Sequence, residues 1–108
     1  MLLVAPDNAL ISISSDIVSK ALAQGLPVIS TAVESAQAGG LISYGYLRRE
    51  SIERAALYIK KVLAGTPPSD LPIQQPSAFH MVVNAKTARL LGLTIPPSLL
   101  ARADEVIE

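Results

Sequence analysis

The sequence predicts an α/β fold, a mostly parallel sheet with flanking helices. Two observations carry that expectation. Leu2-Leu3-Val4 and Pro27-Val28-Ile29-Ser30 are short apolar runs on either side of one helical stretch, with tight joins at both ends. Strand, helix and strand in that order form a βαβ unit, whose strands run parallel and whose crossover is right-handed. Strand-like and helix-like stretches then keep alternating, through 38–45, 48–64, 79–83 and 85–91, as in a sheet covered by helices. The chain has 108 residues, half of them hydrophobic and 17% charged, a composition for one domain with one core.

Taken in order, Leu2-Leu3-Val4 is a continuous apolar run stopped by Pro6, as in a strand covered on both faces. Asp7 and Asn8 follow, where the first strand hands over to a helix. That carboxyl end of the strands is where open α/β sheets bind ligands, and a carboxylate beside a carboxamide suits an ammonium, hydroxyl or amide. Asp and Asn are also preferred helix N-caps, and one residue can cap while its neighbour faces a cleft. Over 9–24, Ile13, Ile17, Val18, Ala21 and Leu22 share one helical face, and Ser15, Asp16, Ser19, Lys20 and Gln24 take the other. Gly25 ends that helix, and Val28–Ser30 is the second strand.

Residues 30–37 read as a polar connection of small residues, with Glu34 open to solvent or to a cationic group. Ala38-Gly39-Gly40-Leu41-Ile42-Ser43-Tyr44-Gly45 then sets one short strand between glycines. Its end offers a hydroxyl on Ser43, a phenol on Tyr44 and bare backbone at Gly45, which suits the wall of a small-molecule cleft. A plain turn–strand–turn is the other reading.

Residues 48–64 form an amphipathic helix with an apolar stripe of Ile52, Ala55, Ala56, Ile59, Val62 and Leu63. Glu50 and Glu53 lie near its start and Lys60 and Lys61 near its end, matching the helix dipole. Gly65 and Pro67-Pro68 stop it. Residues 69–76, punctuated by prolines, read as a non-helical, extended crossing. Phe79-His80-Met81-Val82-Val83 is a last strand, Asn84 caps a helix over 85–91, Gly92 ends it, and Pro96-Pro97 opens a helical tail through Leu99, Leu100 and Ala103.

Several function classes fall away. The formal net charge is zero, without the basic excess of a nucleic-acid or anionic-membrane surface. There is no cysteine, hence no thiol catalysis, disulfide or cysteine-held metal. Asp, Glu and His do not cluster at metal-ligand spacing. His80 is the only histidine and lies in a strand, away from any serine–carboxylate arrangement. No GxGxxG or GxxxxGK[ST] is present, so no nucleotide or other cofactor is expected. No run approaches the ~20 apolar residues of a membrane span, and the N-terminus lacks the charged region of a signal peptide. The residues offer binding features and no reaction machinery.

The segments 3–8, 26–29, 38–45 and 64–72 resemble the C-terminal part of the ABC-transporter substrate-binding protein family that includes tryptophan/tyrosine-type uptake proteins. So does 83–107, which begins Val83-Asn84-Ala85-Lys86-Thr87-Ala88 and continues through Leu91-Gly92-Leu93-Thr94-Ile95-Pro96-Pro97. The Asn-Ala-Lys-Thr-Ala tail is the most specific piece, and the glycine strand is next. The resemblance implies a three-layer, Rossmann-like partial lobe of a type I periplasmic binding protein. Residues 1–108 would be a single α/β domain, the C-terminal fragment of a two-lobe protein, with hinge crossings near 44–48 and 66–78. It implies a solute-binding component of an ABC-type importer, holding a small molecule such as an amino acid between lobes, with an ABC permease as partner. Asp7, Asn8, Ser43, Tyr44 and Gly45 would line the ligand site. The longer protein would be periplasmic or lipid-anchored outside the cytoplasm. A stand-alone α/β regulatory or enzymatic domain is the alternative. Without a first lobe, the stripe on 48–64 needs cover, either by folding back over its own sheet or by pairing in a homodimer.

Overall fold

The computed structural model describes residues 1–75 and 78–108. It divides into two compact units, residues 1–45 with 80–108, and residues 46–79. Pro76 and Ser77, within the second expected crossing, lie outside the described residues.

The first unit is built on a five-stranded sheet in the order β1-β2-β3-β4-β5. The strands are β1 (Leu2–Val4), β2 (Val28–Ser30), β3 (Ile42–Tyr46), β4 (Phe79–Asn84) and β5 (Glu105–Ile107). β1 with β2, β2 with β3, and β4 with β5 pair in parallel. The α/β class and mostly parallel sheet expected from the sequence are therefore present. The helices are α1 (Asn8–Ser12), α2 (Ser14–Ala23), α3 (Val33–Gln37), α4 (Arg48–Leu63), α5 (Ala85–Leu90) and α6 (Pro97–Leu100). Val18 and Ala21 of α2 pack on Val28 of β2, with Val4 and Leu22 at the margin. Val82 and Val83 of β4 and Ala88 of α5 are also buried.

Several elements differ from expectation. β1 is not covered on both faces: Leu2 is 37% and Leu3 71% exposed, because β1 is the edge of the sheet. The single helix expected over 9–24 is two helices joined at Ile13, which has φ −110° and ψ 18° and is itself exposed. The Ser12 hydroxyl donates back to the Ala9 carbonyl at 2.7 Å, a local bond that competes with the helix ladder and bends it. The connection over 30–37 contains α3, whose Ser35 and Ala36 are buried. β3 does not end at Tyr44 but runs through Gly45 to Tyr46.

The 79–83 strand is not the last. After α6 the chain forms β5, pinned where the Met81 amide donates to Asp104 Oδ2 at 2.8 Å and the Asp104 amide to the Met81 carbonyl at 2.9 Å. Gly25 and Gly92 close α2 and α5 at φ +69° and +65°, the left-handed geometry that stops a helix without a Cβ penalty.

The second unit consists of α4 and the segment after it. A short 3-10 turn over Pro68–Asp70 opens that segment, where no helix was expected. On α4, Arg54 and Tyr58 lie one turn apart. The Arg54 guanidinium donates to the Gln75 carbonyl at 3.0 Å, and the Tyr58 hydroxyl donates to the Pro72 carbonyl. Arg49 and Glu53 form an exposed pair at 2.8 Å, which raises the guanidinium pKa through its hydrogen bond and charge. No residue of α4 is buried. Ile52, Ile59 and Leu63 are 65%, 60% and 82% exposed.

Candidate functional site

The register of β1 to β3 decides where the candidate residues lie. Val4 pairs with Ser30, and Ser30 with Ser43. These three positions form one rank across parallel strands, so their chains leave the sheet at the same edge. Beyond the rank come Ala5-Pro6-Asp7-Asn8 from β1, Thr31-Ala32 from β2, and Tyr44-Gly45 from β3. That edge is the carboxyl end of the strands, where the peptide groups of α/β sheets face ligands.

Asp7 and Asn8 open α1. Asp7 is extended, and its Oδ1 accepts the amides of Ala9 at 2.8 Å and Leu10 at 3.2 Å. The cap role therefore falls to Asp7. Asn8 is the first helical residue and is exposed. Tyr44 is half exposed, while Ser43 beside it is fully buried with its Oγ lacking a hydrogen-bond partner. Gly45 is buried, and a Cβ there would lie 2.1 Å from the Thr31 carbonyl oxygen. Its missing side chain is what lets β3 pass that backbone.

A crevice lies at this edge, lined by Val4 and Ala5 from the end of β1, Leu10, Ile11 and Ser14 from the α1–α2 region, and Ser30, Thr31, Ala32 and Ser35. The lining is apolar with four hydroxyls and carries no charge. None of Asp7, Asn8, Ser43, Tyr44 and Gly45, the residues expected at the ligand site, is among these lining residues. From sequence, Leu10, Ile11 and Ser14 read as plain helix, Val4 as strand, and Ser30 to Ser35 as strand end and loop. Glu34 stands exposed on α3. A second hollow lies in the second unit among Ser51, Arg54, Ala55, Tyr58 and Gln74. Arg54 and Tyr58 there hold the backbone of the following segment, so that hollow reads as a fastening of the segment.

His80 lies near the start of β4. Its Nδ1 is 3.8 Å from Asp104 Oδ2 and its Nε2 4.0 Å from Glu105 Oε2. Among the described residues no group of three His, Cys, Asp or Glu side chains is placed to hold a metal, and no helix is long and apolar enough to cross a membrane.

Comparison with solved structures finds close likeness in fold. A conserved domain protein from Vibrio cholerae O1 biovar El Tor matches with TM-score 0.90 at 28% identity, over 96% of this chain and 35% of that one. An ABC domain from Streptococcus pneumoniae, solved in complex with L-Trp, matches with TM-score 0.89 at 32% identity, over 97% and 36%. A substrate-binding protein with adhesive properties from Clostridium difficile, in a ligand-free, open structure, shares the fold with TM-score 0.64 at 23% identity, over 98% and 35%. The chain thus spans about 35% of the length of the structures it matches. No curated protein matches the sequence. A family profile described as ABC transporter substrate binding protein matches residues 1–107, and the chain belongs to that family.

Proposed function

We propose that this chain is the C-terminal part of a two-lobe solute-binding component of an ABC-type importer. It binds a small molecule such as an amino acid at the edge where β1, β2 and β3 end, and it catalyses no reaction. Asp7, Asn8, Ser43, Tyr44 and Gly45 make up this half of the site. The observation that carries the reading is the common rank of Val4, Ser30 and Ser43, which brings three strand ends, two polar helix-start residues and a phenol to one edge. The S. pneumoniae neighbour with L-Trp bound supports an amino acid as the solute.

In this reading the chain crosses between lobes around 44–48 and 66–78. Supporting it, the division into compact units falls between Gly45 and Tyr46 and between Phe79 and His80. The exposed stripe on α4 then belongs against the first lobe. In the 108-residue chain by itself it pairs with a second copy. Closure of the lobes on ligand is the signal that a membrane permease reads, outside the cytoplasm.

The test is calorimetric titration of the polypeptide carrying both lobes with L-tryptophan, L-tyrosine and the other amino acids. At least one should give saturable binding. Asn8→Ala should weaken it at least tenfold, the equivalent of about 1.5 kcal/mol for one hydrogen bond to a charged ligand. Absence of binding by every amino acid would remove the proposed substrate class, and an unaffected Asn8→Ala variant would move the site.

A further inference from the structure

The Asn84-Ala85-Lys86-Thr87-Ala88 segment is the most specific piece of the sequence, yet none of it lies at the ligand edge. Its two uncharged polar side chains are buried, with Asn84 at 4% and Thr87 at 2% exposure, while Lys86 is exposed. Buried polar groups are retained where their hydrogen bonds are made, and here each one is made to a definite place. Asn84 Oδ1 accepts the Thr87 amide at 2.9 Å, the helix cap expected from sequence, and Asn84 Nδ2 donates to the Ala36 carbonyl at 3.0 Å. Thr87 Oγ1 donates to the Gly39 carbonyl at 2.8 Å. The Asn84 amide donates to the Leu41 carbonyl at 2.9 Å.

Three carbonyls of one turn, those of Ala36, Gly39 and Leu41, thus accept hydrogen bonds from two residues 43 to 48 positions further on. That turn needs holding. Gly39 has φ +109°, and a Cβ on Gly40 would lie 2.8 Å from the Ser35 carbonyl oxygen, so the turn is tight and built from residues of low intrinsic order. Directly after it begins β3, which carries Ser43, Tyr44 and Gly45.

We propose that Asn84 and Thr87 are positioning residues. They clamp the glycine turn so that β3 enters the sheet in the register that brings Ser43 to Ser30 and Gly45 to the Thr31 carbonyl. The clamp joins the strand on which the chain leaves the first unit, β3, to the strand on which it returns, β4. Its value for binding rests on the ligand site proposed above, but its existence does not.

Amide hydrogen exchange on Thr87→Val, Thr87→Ser and Asn84→Ser tests it without ligand, so its failure is distinct from failure of the ligand reading. Thr87→Val keeps the shape and removes the hydroxyl. It should speed exchange of amides 39–45 about two- to tenfold, the range for loss of one net hydrogen bond, and leave Val18 and Ala21 of α2 unchanged. Thr87→Ser should restore the wild-type rates. Asn84→Ser keeps an acceptor for the Thr87 amide but loses the donor to Ala36, and should speed the same amides. Equal rates in Thr87→Val and wild type, no rescue by Thr87→Ser, or a uniform rise across the unit would each overturn the clamp.

Discussion

Gly45 is the residue on which the ligand edge is most sensitive. A Cβ there would stand 2.1 Å from the Thr31 carbonyl oxygen, and a backbone atom cannot rotate out of the way. Gly45→Ala should therefore push β3 from β2 and destabilise the first unit by about 1–3 kcal/mol, the usual cost of overpacking. Urea denaturation followed by circular dichroism would measure this, and a change below 0.5 kcal/mol, the ordinary scatter of harmless substitutions, would contradict the close approach. The glycine itself was visible in the sequence, as was the cap at Asp7, since both follow from local residue chemistry. The carbonyl that Gly45 meets was not visible, because β2 and β3 are joined only by folding. The same holds for Asn84. Its cap to Thr87 is three residues away and legible, while its bond to Ala36 spans 48 positions and leaves no local trace. Ser43 reads as a cleft hydroxyl from sequence, whereas in the structure it is completely buried.

At the scale of elements, length decided what could be read. α4 was expected over 48–64 and is found at Arg48–Leu63, because 16 residues carry several repeats of the helical period. α3 has five residues and β5 three, too few for either period to register, and both are fixed by tertiary contacts. The long helix from 9 to 24 failed at Ile13 because local serine bonds compete with a regular ladder. α4 also carries the clearest consequence. Its exposed Ile59 contributes little to the stability of the isolated chain, so Ile59→Lys should change it by less than about 0.5 kcal/mol. If two copies pair through the stripe, the same change should turn a dimer into a monomer, because a charge would be buried without a partner. Sedimentation equilibrium of both proteins measures this directly. A wild-type monomer at every concentration would remove the homodimer.

For the molecule as a whole, the buried hydrophobic side chains among the described residues are Val, Ala and one Leu. Aromatic residues make up 4% of the sequence, and Tyr44, Tyr46 and Phe79 are exposed. A core of small side chains with β1 open at the edge buries little apolar surface per residue, and small domains of that kind are marginal. The expectation is that the 108-residue chain melts well below the polypeptide with both lobes. A gap of more than about 5 °C would correspond to roughly 1 kcal/mol for a domain of this size, and calorimetry of the two would show it. Equal melting temperatures would mean that this unit needs nothing beyond its own core. The parallel sheet was legible because its βαβ spacing is a property of the chain, and its open edges were not, because exposure depends on what lies beside a strand.

The strand order β1-β2-β3-β4-β5 also bears on how the protein is made. Space and sequence run in the same direction, so each strand joins the sheet beside the one synthesised before it. Nascent chains emerge from their N-terminus at about 5–20 residues per second. Each new strand therefore finds its partner waiting, and the growing sheet never has to reopen to admit a later one. The longest wait falls between β3 and β4, while residues 47–78 are being added. During that interval the glycine turn has emerged but Asn84 and Thr87 have not, so the half-made sheet lacks the bonds that later hold β3. Ribosome-paused intermediates stalled in that window should be the species most readily captured by chaperones.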